Sequence, residues 1–502
     1  MQRVIPIIRN KYFIYILLGF FCLFLACLSD NYDYDLYARL IVGERFISGL
    51  GVAYKDFLSY TPTHLWYDHE WGSGVVFYLF LKYLGPFGLV LLQALTMFFT
   101  AFFVIKTQRL QKHAYPVSML FMLLFLILYS HQNPSIVRCH MFSFMFFSMT
   151  LYFLEKTRLK DSNLLWLIVP ISVLWNNLHG GIVSGLGIIF IYMVCEFISR
   201  RPWKKYFYVL LLSTFLLVVN PYGIKYLDFL ISANTKVRTY ITEWWNVLVY
   251  RHLVYYYSLS FITLFAVFMA IYKAIVNRKV DILKLVLLLV TAYLGLIHVK
   301  LLSLPLIVIA SLYYNDIINL VNKNQLKLLE IAAYIIMLFG VLYIPYTSPD
   351  VPRIKIDKFP VIETEFIKLN NIKGKIINEF GHGSYIAYKL YPDNLIYMDG
   401  RYEEVYYDWT LENFAKFELA EDNWDDILKE YPPDILMIDK DIPVYTVLLN
   451  SKDWVKIFEG PICGIFVRKE NAKNDYLQPS DNLKYYQDSH FDSNGKFGRI
   501  NG

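Results

Sequence analysis

Acidic residues follow directly on the first apolar run of the chain. The stretch SDNYDYDLYARLIVGERF, residues 29–46, holds Asp30, Asp33, Asp35 and Glu44. A carboxylate can act as a general base toward a hydroxyl or an amide. Asp33 and Asp35 would point the same way on an extended chain, where they could share a metal ion or an acceptor. Capping of the helix that follows is the structural alternative, because Asp is favoured at helix N-termini.

A second polar group precedes a short apolar stretch. Asp68, His69 and Glu70 come directly before WGSGVVFYLFLKYLG, which is too short to span a membrane. We predict an interfacial helix with its N-terminus at the site, where the helix dipole favours anions such as phosphate. Glu70 is therefore a third candidate catalytic carboxylate. His69 and Glu70 could also bind a divalent metal ion with Asp33 or Asp35.

Three basic residues mark the ends of apolar runs on the same predicted side as these acids. They are Arg138, His298 and Lys300. A cation at a membrane boundary is costly unless it is paired, so the set is a candidate binding site for a phosphate group. Snorkelling of each side chain to the lipid headgroups is the alternative.

Other polar residues in turns are candidates for acceptor binding or for a structural role. His179 lies in NNLHGG, where glycines allow close backbone approach, and Glu243 lies in ITEWWN. Asp399 and Arg401 lie in MDGRYEE, directly after a predicted strand. His69 belongs to the same group of candidates. Plain turn or core roles remain open for all five residues.

The composition indicates that these residues belong to a membrane protein. The chain of 502 residues is 56% apolar and only 18% charged, whereas soluble domains have about 25% charged residues. Its five cysteines form no disulfide framework and no zinc-binding spacing, so we predict small buried residues. About eleven apolar runs are candidate transmembrane helices, near 12–28, 87–105, 116–130, 139–155, 164–178, 181–198, 206–219, 254–275, 283–297, 301–320 and 328–345.

Basic residues fix the predicted orientation of these helices. Every second connection is basic, as the positive-inside rule requires when the N-terminus is cytoplasmic. The cytoplasmic set comprises Arg3, Arg9, Lys11, Lys106, Arg109, Lys112, Lys156, Arg158, Lys160, Arg200, Arg201, Lys204, Lys205, Lys273, Arg278, Lys279, Lys323 and Lys327. The long first loop, residues 29–86, and everything after about residue 346 would then lie outside the cytoplasm. We predict a multi-pass plasma (inner) membrane protein.

The chain divides by composition into three parts. Residues 1–345 are the predicted transmembrane domain. Residues 346–502 hold 19 Lys+Arg against 27 Asp+Glu, in contrast to the basic remainder. Within them, KIINE, NLIYMDG, DILMIDK and GIFVRKE are typical of strands, and SYIAYKL and WDDILKEY are typical of helices. We therefore predict an extracytoplasmic α/β domain over 346–470 and a disordered polar tail over 471–502.

Several stretches resemble the bacterial GT-C superfamily of membrane glycosyltransferases. In the first loop these are DYDLYARLIVGERFISGLGVAYKDFLSYT and WYDHEWGSGVVFYLFLKYLG, and further on WNNLHGGIVSG, NPYGIKY, ITEWW, GHGSYIAYKLYPDNLIYMDGR and VRKE. The resemblance covers most of residues 30–470. The chain departs from the pattern at Lys55 and Leu58, around a turn that is usually DPFSYT-like, and at Arg39, where many members have His.

The resemblance implies a GT-C-like fold and a glycosyl transfer reaction. Distant relatives include protein O-mannosyltransferases, the lipid A aminoarabinose transferase and oligosaccharyltransferases. They use a polyprenyl-phosphate or polyprenyl-diphosphate sugar and an acidic residue in the first outer loop, here Asp35 or Asp33. The expected partners are the lipid bilayer, the polyprenyl-phosphate sugar donor and a glycan, lipid or protein acceptor, with no nucleic acid.

Two other functions compete with this interpretation. A transporter or flippase of a lipid-linked glycan should carry mid-membrane charges and repeated halves, and the sequence shows no such repeat. A scaffold whose outer domain is merely anchored by helices makes no use of Asp33 and Asp35. The sugar, the acceptor and the metal requirement stay open at this point.

Overall fold

The structure is a computed structural model that describes residues 11–28, 32–111, 118–130, 136–235, 241–249, 254–277, 281–319, 322–347 and 358–479. Its chain forms two compact units, Met1–Ser29 with Val90–Val351, and Asp30–Leu89 with Pro352–Gly502. Some predictions fall outside the described residues, namely those on Arg3, Arg9, Asp30, Lys112, Arg278 and Lys279, on the boundary at 348–353, and on the tail from residue 480.

The first unit, here called the helical unit, consists of α-helices with short 3₁₀ turns. All eleven apolar runs form helices where they are described, which confirms the predicted polytopic helical fold class. The helices are α1 Lys11–Leu28, the second half of α3 Trp71–Gln108, α4 Met119–Ser130, α5 His140–Lys160, α6 Ile168–Leu178, α7 Ile182–Ile198, α8 Lys204–Phe215, α9 Lys225–Thr235, α10 Val254–Asn277, α11 Ile282–Ile297, α12 Ser303–Leu312, α13 Tyr314–Ile318 and α14 Lys323–Thr347. The sequence did not predict α9.

Several of these helices are long enough to span a bilayer unaided. Within the described residues, Trp71–Gln108, Tyr256–Val276 and Asn324–Tyr346 have the length and hydropathy to cross a membrane, and six further apolar helices are shorter. The first of the three leaves helical geometry at Gly85, directly before Pro86. This kink separates the predicted interfacial segment from the predicted second span.

Charged side chains gather at one end of the helical unit. Arg158 binds Asp281 with an Nη2–Oδ2 distance of 2.9 Å, and Lys205 binds Asp161 at 2.6 Å. Arg109 donates to the Tyr15 hydroxyl at 3.1 Å. These contacts join connections that the sequence assigned to a single side. Which side of the membrane this end faces remains a prediction.

The second unit, here called the sheet unit, is built on a five-stranded sheet. Its strand order is β2-β1-β3-β5-β4, with β1 parallel to β2 and β3 and with β5 antiparallel to β3 and β4. The elements are α2 Tyr34–Arg45, the first half of α3, α15 Val361–Leu369, β1 Gly374–Asn378, α16 Gly383–Leu390, β2 Asn394–Ile396, α17 Tyr402–Val405, α18 Asp408–Leu419, α19 Asp426–Glu430, β3 Ile435–Asp439, α20 Pro443–Leu449, β4 Trp454–Glu459 and β5 Cys463–Arg468.

The long first loop packs into the sheet unit and does not form a separate segment. Ser59 pairs in parallel with Ile396, and the Ile396 N–H donates to the Leu58 carbonyl at 2.9 Å, so the loop extends the sheet beside β2. Leu58 and Trp66 are fully buried in the two hydrophobic clusters that pack against the sheet. Burial of such large apolar side chains stabilises the loop in this place.

The sequence predicted four of the five strands at their observed positions. It missed β4, whose polar Lys456 and Glu459 interrupt the apolar pattern, and it missed α15, α17, α18 and α20. All five cysteines are buried and free, as predicted.

Candidate active site and phosphate-binding cluster

Asp33 and Asp35 lie at the start of α2 and not on an extended strand. Asp33 is the N-cap, and its carboxylate accepts the Asp35 backbone N–H at 2.9 Å. Asp33 is only 8% exposed, whereas Asp35 in the first turn is partly exposed. The expected shared orientation on an extended chain was therefore wrong, and the capping alternative describes Asp33. Asp35 retains the access that a general base needs.

The Asp35 carboxylate lies against the backbone of the turn between β2 and α17. A Cβ atom placed on Gly400 would overlap Asp35 Oδ1, and no other atom comes as near to that position. Glycine at 400 therefore allows the carboxylate to approach the chain closely. The contact joins the first acidic motif to MDGRYEE, two stretches more than 350 residues apart in the sequence.

One turn further along α2, Arg39 faces the same side as Asp35. The Arg39 side chain is 3% exposed and forms an ion pair with Asp68. Its Nε lies 3.5 Å from Glu70 Oε2, and its Nη2 lies 3.8 Å from Glu404 Oε2. Gly74 allows the backbones of α2 and α3 to pack closely here, because a Cβ there would collide with the Arg39 carbonyl. The arginine at the position where many GT-C members have His thus organises three carboxylates.

His69 lies between two of these carboxylates. Its Nδ1 is 3.0 Å from Glu404 Oε1, and its Nε2 is 3.6 Å from Glu70 Oε1. Burial lowers the His69 pKa, but Glu404 and Glu70 outweigh it and raise the pKa to about 9. The pKa of Glu404 is lowered, since His69 and Arg39 outweigh the effect of its burial. The imidazolium and the guanidinium thus balance most of the charge of Asp68, Glu70 and Glu404.

The arrangement of Asp68, His69, Glu70 and Glu404 can be compared with the predicted divalent metal site. The described part of the sheet unit holds two close groups of metal-binding side chains, Asp68–His69–Glu404 and His382–Asp439–Cys463. Neither group contains Asp33 or Asp35. His69 would have to lose its proton before it could bind a metal, so the residues at this site fit a charge-balanced protein cluster better than a metal centre.

Asp399 and Arg401 form a buried cluster of their own. Arg401 Nε donates to Asp399 Oδ1 at 2.8 Å, and its Nη1 lies 2.5 Å from Asp56 Oδ1. The guanidinium stacks over Trp66 at 4.7 Å, and the Tyr406 hydroxyl donates to Asp399 at 3.1 Å. Burial acts against the charged Arg401, but Asp399 and Asp56 raise its pKa well above the ordinary value.

These contacts favour the structural role for Asp399 and Arg401. Asp56 also accepts the backbone N–H groups of Leu58 and Ser59 at 3.1 and 3.0 Å, so Arg401 holds the first loop to the sheet. Asp56, Glu404 and Tyr406 were not singled out in the sequence, although each lies in or directly beside a stretch that carries the resemblance. The available signal was Arg401 itself, because a buried arginine must be paired with acceptors such as carboxylates.

In the helical unit, the three predicted phosphate-binding residues lie around one turn. Arg138 forms an ion pair with Glu243, the central residue of the 3₁₀ turn Thr242–Trp244. The Lys300 ammonium lies 3.6 Å from the centroid of the Trp244 ring. His298 Nδ1 lies 2.7 Å from the Trp244 carbonyl. The structure thus brings Arg138, Lys300, His298 and Glu243 together.

The cations of this cluster act on the Glu243 carboxylate. Burial raises the pKa of Glu243, but Arg138 and Lys300 outweigh it and lower the pKa below the ordinary value. Glu243 is therefore ionised and pairs with Arg138. Charged donors such as Arg and Lys are also the groups that bind phosphate in proteins.

His179 has a local structural role in the helical unit. Its Nδ1 accepts the Gly181 backbone N–H at 2.9 Å and lies 2.7 Å from the Ser143 hydroxyl. The Trp175 indole donates to the same hydroxyl at 2.7 Å. These bonds fix the turn between α6 and α7.

The whole fold resembles solved structures of a membrane protein. ArnT from Cupriavidus metallidurans bound to undecaprenyl phosphate matches 90% of this chain and 97% of its own, with a TM-score of 0.51 and 12% identity. The apo state of the same protein matches 88% and 95%, with a TM-score of 0.49 and 10% identity. No family model and no curated protein matches the chain.

The likeness defines the class of fold. The chain has the GT-C-like fold that the sequence predicted, with a polytopic helical unit and an α/β sheet unit that contains the first loop as well as the C-terminal part of the chain. At this level of identity the likeness concerns the fold, and the activity is a separate matter.

Proposed function

We propose that the protein is a membrane glycosyltransferase that moves a sugar from a polyprenyl-phosphate donor to an acceptor at the outer face of the plasma membrane. The observation that carries the proposal is the gathering of Arg138, Lys300 and His298 around the turn that holds Glu243. The solved structure that this fold resembles holds undecaprenyl phosphate. That likeness supports a lipid phosphate as the ligand of the cluster.

The reaction requires a general base for the acceptor and cations that stabilise the leaving phosphate. An acceptor oxygen or nitrogen attacks the anomeric carbon, the bond from that carbon to the phosphate oxygen breaks, and polyprenyl phosphate leaves. The acceptor proton passes to Asp35, which acts as the general base. Arg138 and Lys300 stabilise the charge that develops on the departing phosphate. Asp33 orients the start of α2, and Arg39 orients Glu70 beside it.

Charge removal tests the phosphate cluster. Arg138→Gln and Lys300→Gln should each weaken undecaprenyl phosphate binding about 10-fold or more, because each removes a charged hydrogen bond worth about 1.5–3 kcal/mol. Native mass spectrometry of the purified full-length protein can measure this binding. Lys225→Gln, which removes an exposed lysine of α9, is the matched control and should bind as the wild type does.

A Glu243 variant should have the opposite effect on phosphate binding to the two cation variants. Glu243→Gln removes the carboxylate that competes for Arg138, so this variant should bind undecaprenyl phosphate at least as tightly as the wild type. If both cation variants bind as the wild type does, Arg138 and Lys300 are snorkelling side chains and the proposed phosphate site is wrong.

The transporter remains the second candidate, and one assay separates the two functions. In proteoliposomes containing a synthetic polyprenyl-phosphate sugar and cell-envelope extract as acceptor, a glycosyltransferase releases polyprenyl phosphate. A flippase moves the donor between leaflets and leaves it chemically intact. Intact donor on both sides after incubation would contradict the proposed reaction.

A further inference from the structure

A second group of chemically active side chains lies at one edge of the sheet. It consists of His382, Asp439, Cys463 and Glu379. Parallel strands β1 and β3 both end at this edge, next to Glu379 and at Asp439, and the antiparallel β5 begins there with Cys463 opposite Asp439. His382 stands at the start of α16, directly after β1. Sheet topology alone therefore brings these four residues together.

The donor atoms converge on a small space. His382 Nδ1 lies 3.2 Å from Asp439 Oδ1 and 3.6 Å from Glu379 Oε2. Cys463 Sγ lies 2.9 Å from Asp439 Oδ1. A tetrahedral zinc ion with bonds of about 2.0–2.3 Å keeps its ligand atoms roughly 3.3–3.8 Å apart. Two of the three separations lie near this range, and the third needs a shift of about half an ångström.

Two buried polar atoms in this region make no hydrogen bond to the residues that the structure describes. His382 is 5% exposed, and its Nδ1 makes no well-directed hydrogen bond to any residue that the structure describes. The fully buried Glu363 accepts the Ile462 and Cys463 N–H groups through Oε1, while its Oε2 makes no hydrogen bond to the described residues. Buried polar atoms are nearly always satisfied, so a missing partner points to a ligand.

We propose that His382, Asp439, Cys463 and Glu379 form a zinc site in the sheet unit. A thiolate with an imidazole selects zinc over magnesium or calcium, which prefer oxygen ligands. On binding, the Cys463 thiol releases its proton to solvent and the sulfur bonds to the ion. The sequence concealed the site because its ligands are 3, 57 and 24 residues apart, unlike any zinc motif.

The ion would brace the start of the helix that carries Asp35. The Tyr34 ring lies 5.9 Å from the His382 ring and 5.0 Å from the Phe359 ring. Tyr34 is the first residue of α2, so the site holds this end of the helix in the sheet unit. The zinc proposal rests on the distances between the four ligand residues and on the burial of His382, and it does not depend on the proposed glycosyl transfer.

Metal analysis of the full-length protein in detergent tests the proposal. After exposure to zinc and gel filtration in metal-free buffer, the wild type should retain about one zinc per chain. Cobalt loaded in its place should show thiolate-to-metal charge-transfer absorption. Cys463→Ser should remove that absorption and lower the zinc content about 10-fold or more. Cys22→Ser removes an equally buried thiol in α1 and should retain both signals.

Two results would overturn the proposal. One is a wild-type protein that retains no zinc and gives no cobalt–thiolate absorption, a result that requires no variant to fold. The other is equal zinc retention by Cys463→Ser, His382→Gln and the wild type. Melting temperature gives an independent readout: a chelator should lower it for the wild type and for Cys22→Ser, and should leave Cys463→Ser unchanged.

Discussion

Replacing Gly400 with alanine should displace the Asp35 carboxylate while leaving the fold intact. Gly400 has no left-handed backbone conformation, so alanine adds no backbone strain, and the new methyl group overlaps only the end of the Asp35 side chain. The carboxylate must move by about 1 Å to regain van der Waals separation. A misplacement of this size costs about 100-fold when the displaced group takes part in the reaction.

Release of polyprenyl phosphate from a synthetic donor measures the effect. Gly400→Ala should lower this rate between about 10- and 100-fold, with a melting temperature close to that of the wild type. Gly187→Ala is the matched control, because a Cβ at this helical position meets open space. If Gly400→Ala folds and transfers at the wild-type rate, the position of the Asp35 carboxylate does not matter to the reaction.

Three further predictions concern orientation, charge and stability. A reporter fused after residue 346 should be active only outside the cytoplasm and one fused after Arg109 only inside, and the reverse result would contradict the predicted sidedness. His69, whose pKa of about 9 is set by burial together with Glu404, Glu70 and Asp68, stabilises the fold by up to about 3 kcal/mol below pH 6.5 and loses this effect as the pH rises through 9. The melting temperature of His69→Gln should therefore fall less than that of the wild type between about pH 6.5 and 9. The same pH dependence in both proteins would refute the stabilising role of the charged His69. Arg401→Met leaves two buried carboxylates without their cation and should cost about 3–5 kcal/mol, whereas Lys429→Met, at an exposed ion pair, should not change the melting temperature.

The elements that the sequence predicted well are those with a strong local signal. Eleven apolar runs predicted eleven helical segments, and four strands of the sheet follow apolar stretches such as KIINE and DILMIDK. Strand β4 was missed because it lies at the sheet edge, where Lys456 and Glu459 replace the apolar pattern. Local periodicity reports which face is buried, and an edge strand buries little.

The candidate site was predicted in part, for a similar reason. Residue type and predicted sidedness were enough to select Arg138, Lys300 and His298, which the structure brings to one turn. The partners that decide each role are distant in sequence: Asp35 approaches Gly400, and Asp56 binds Arg401. Such pairings depend on tertiary packing, which no local pattern encodes. For Asp33 the sequence left helix capping open as an alternative, and the structure shows its carboxylate capping α2.

The rate of sugar transfer by Asp35→Asn tests the central claim most directly. Asparagine keeps the size of the side chain and most of its hydrogen bonds but cannot take the acceptor proton, so transfer should fall about 100-fold or more. Undecaprenyl phosphate binding and melting temperature should match the wild type, and Asp33→Asn should be milder, because Asn caps a helix about as well as Asp. An Asp35→Asn protein that transfers sugar at the wild-type rate would contradict the assignment of Asp35 as the base.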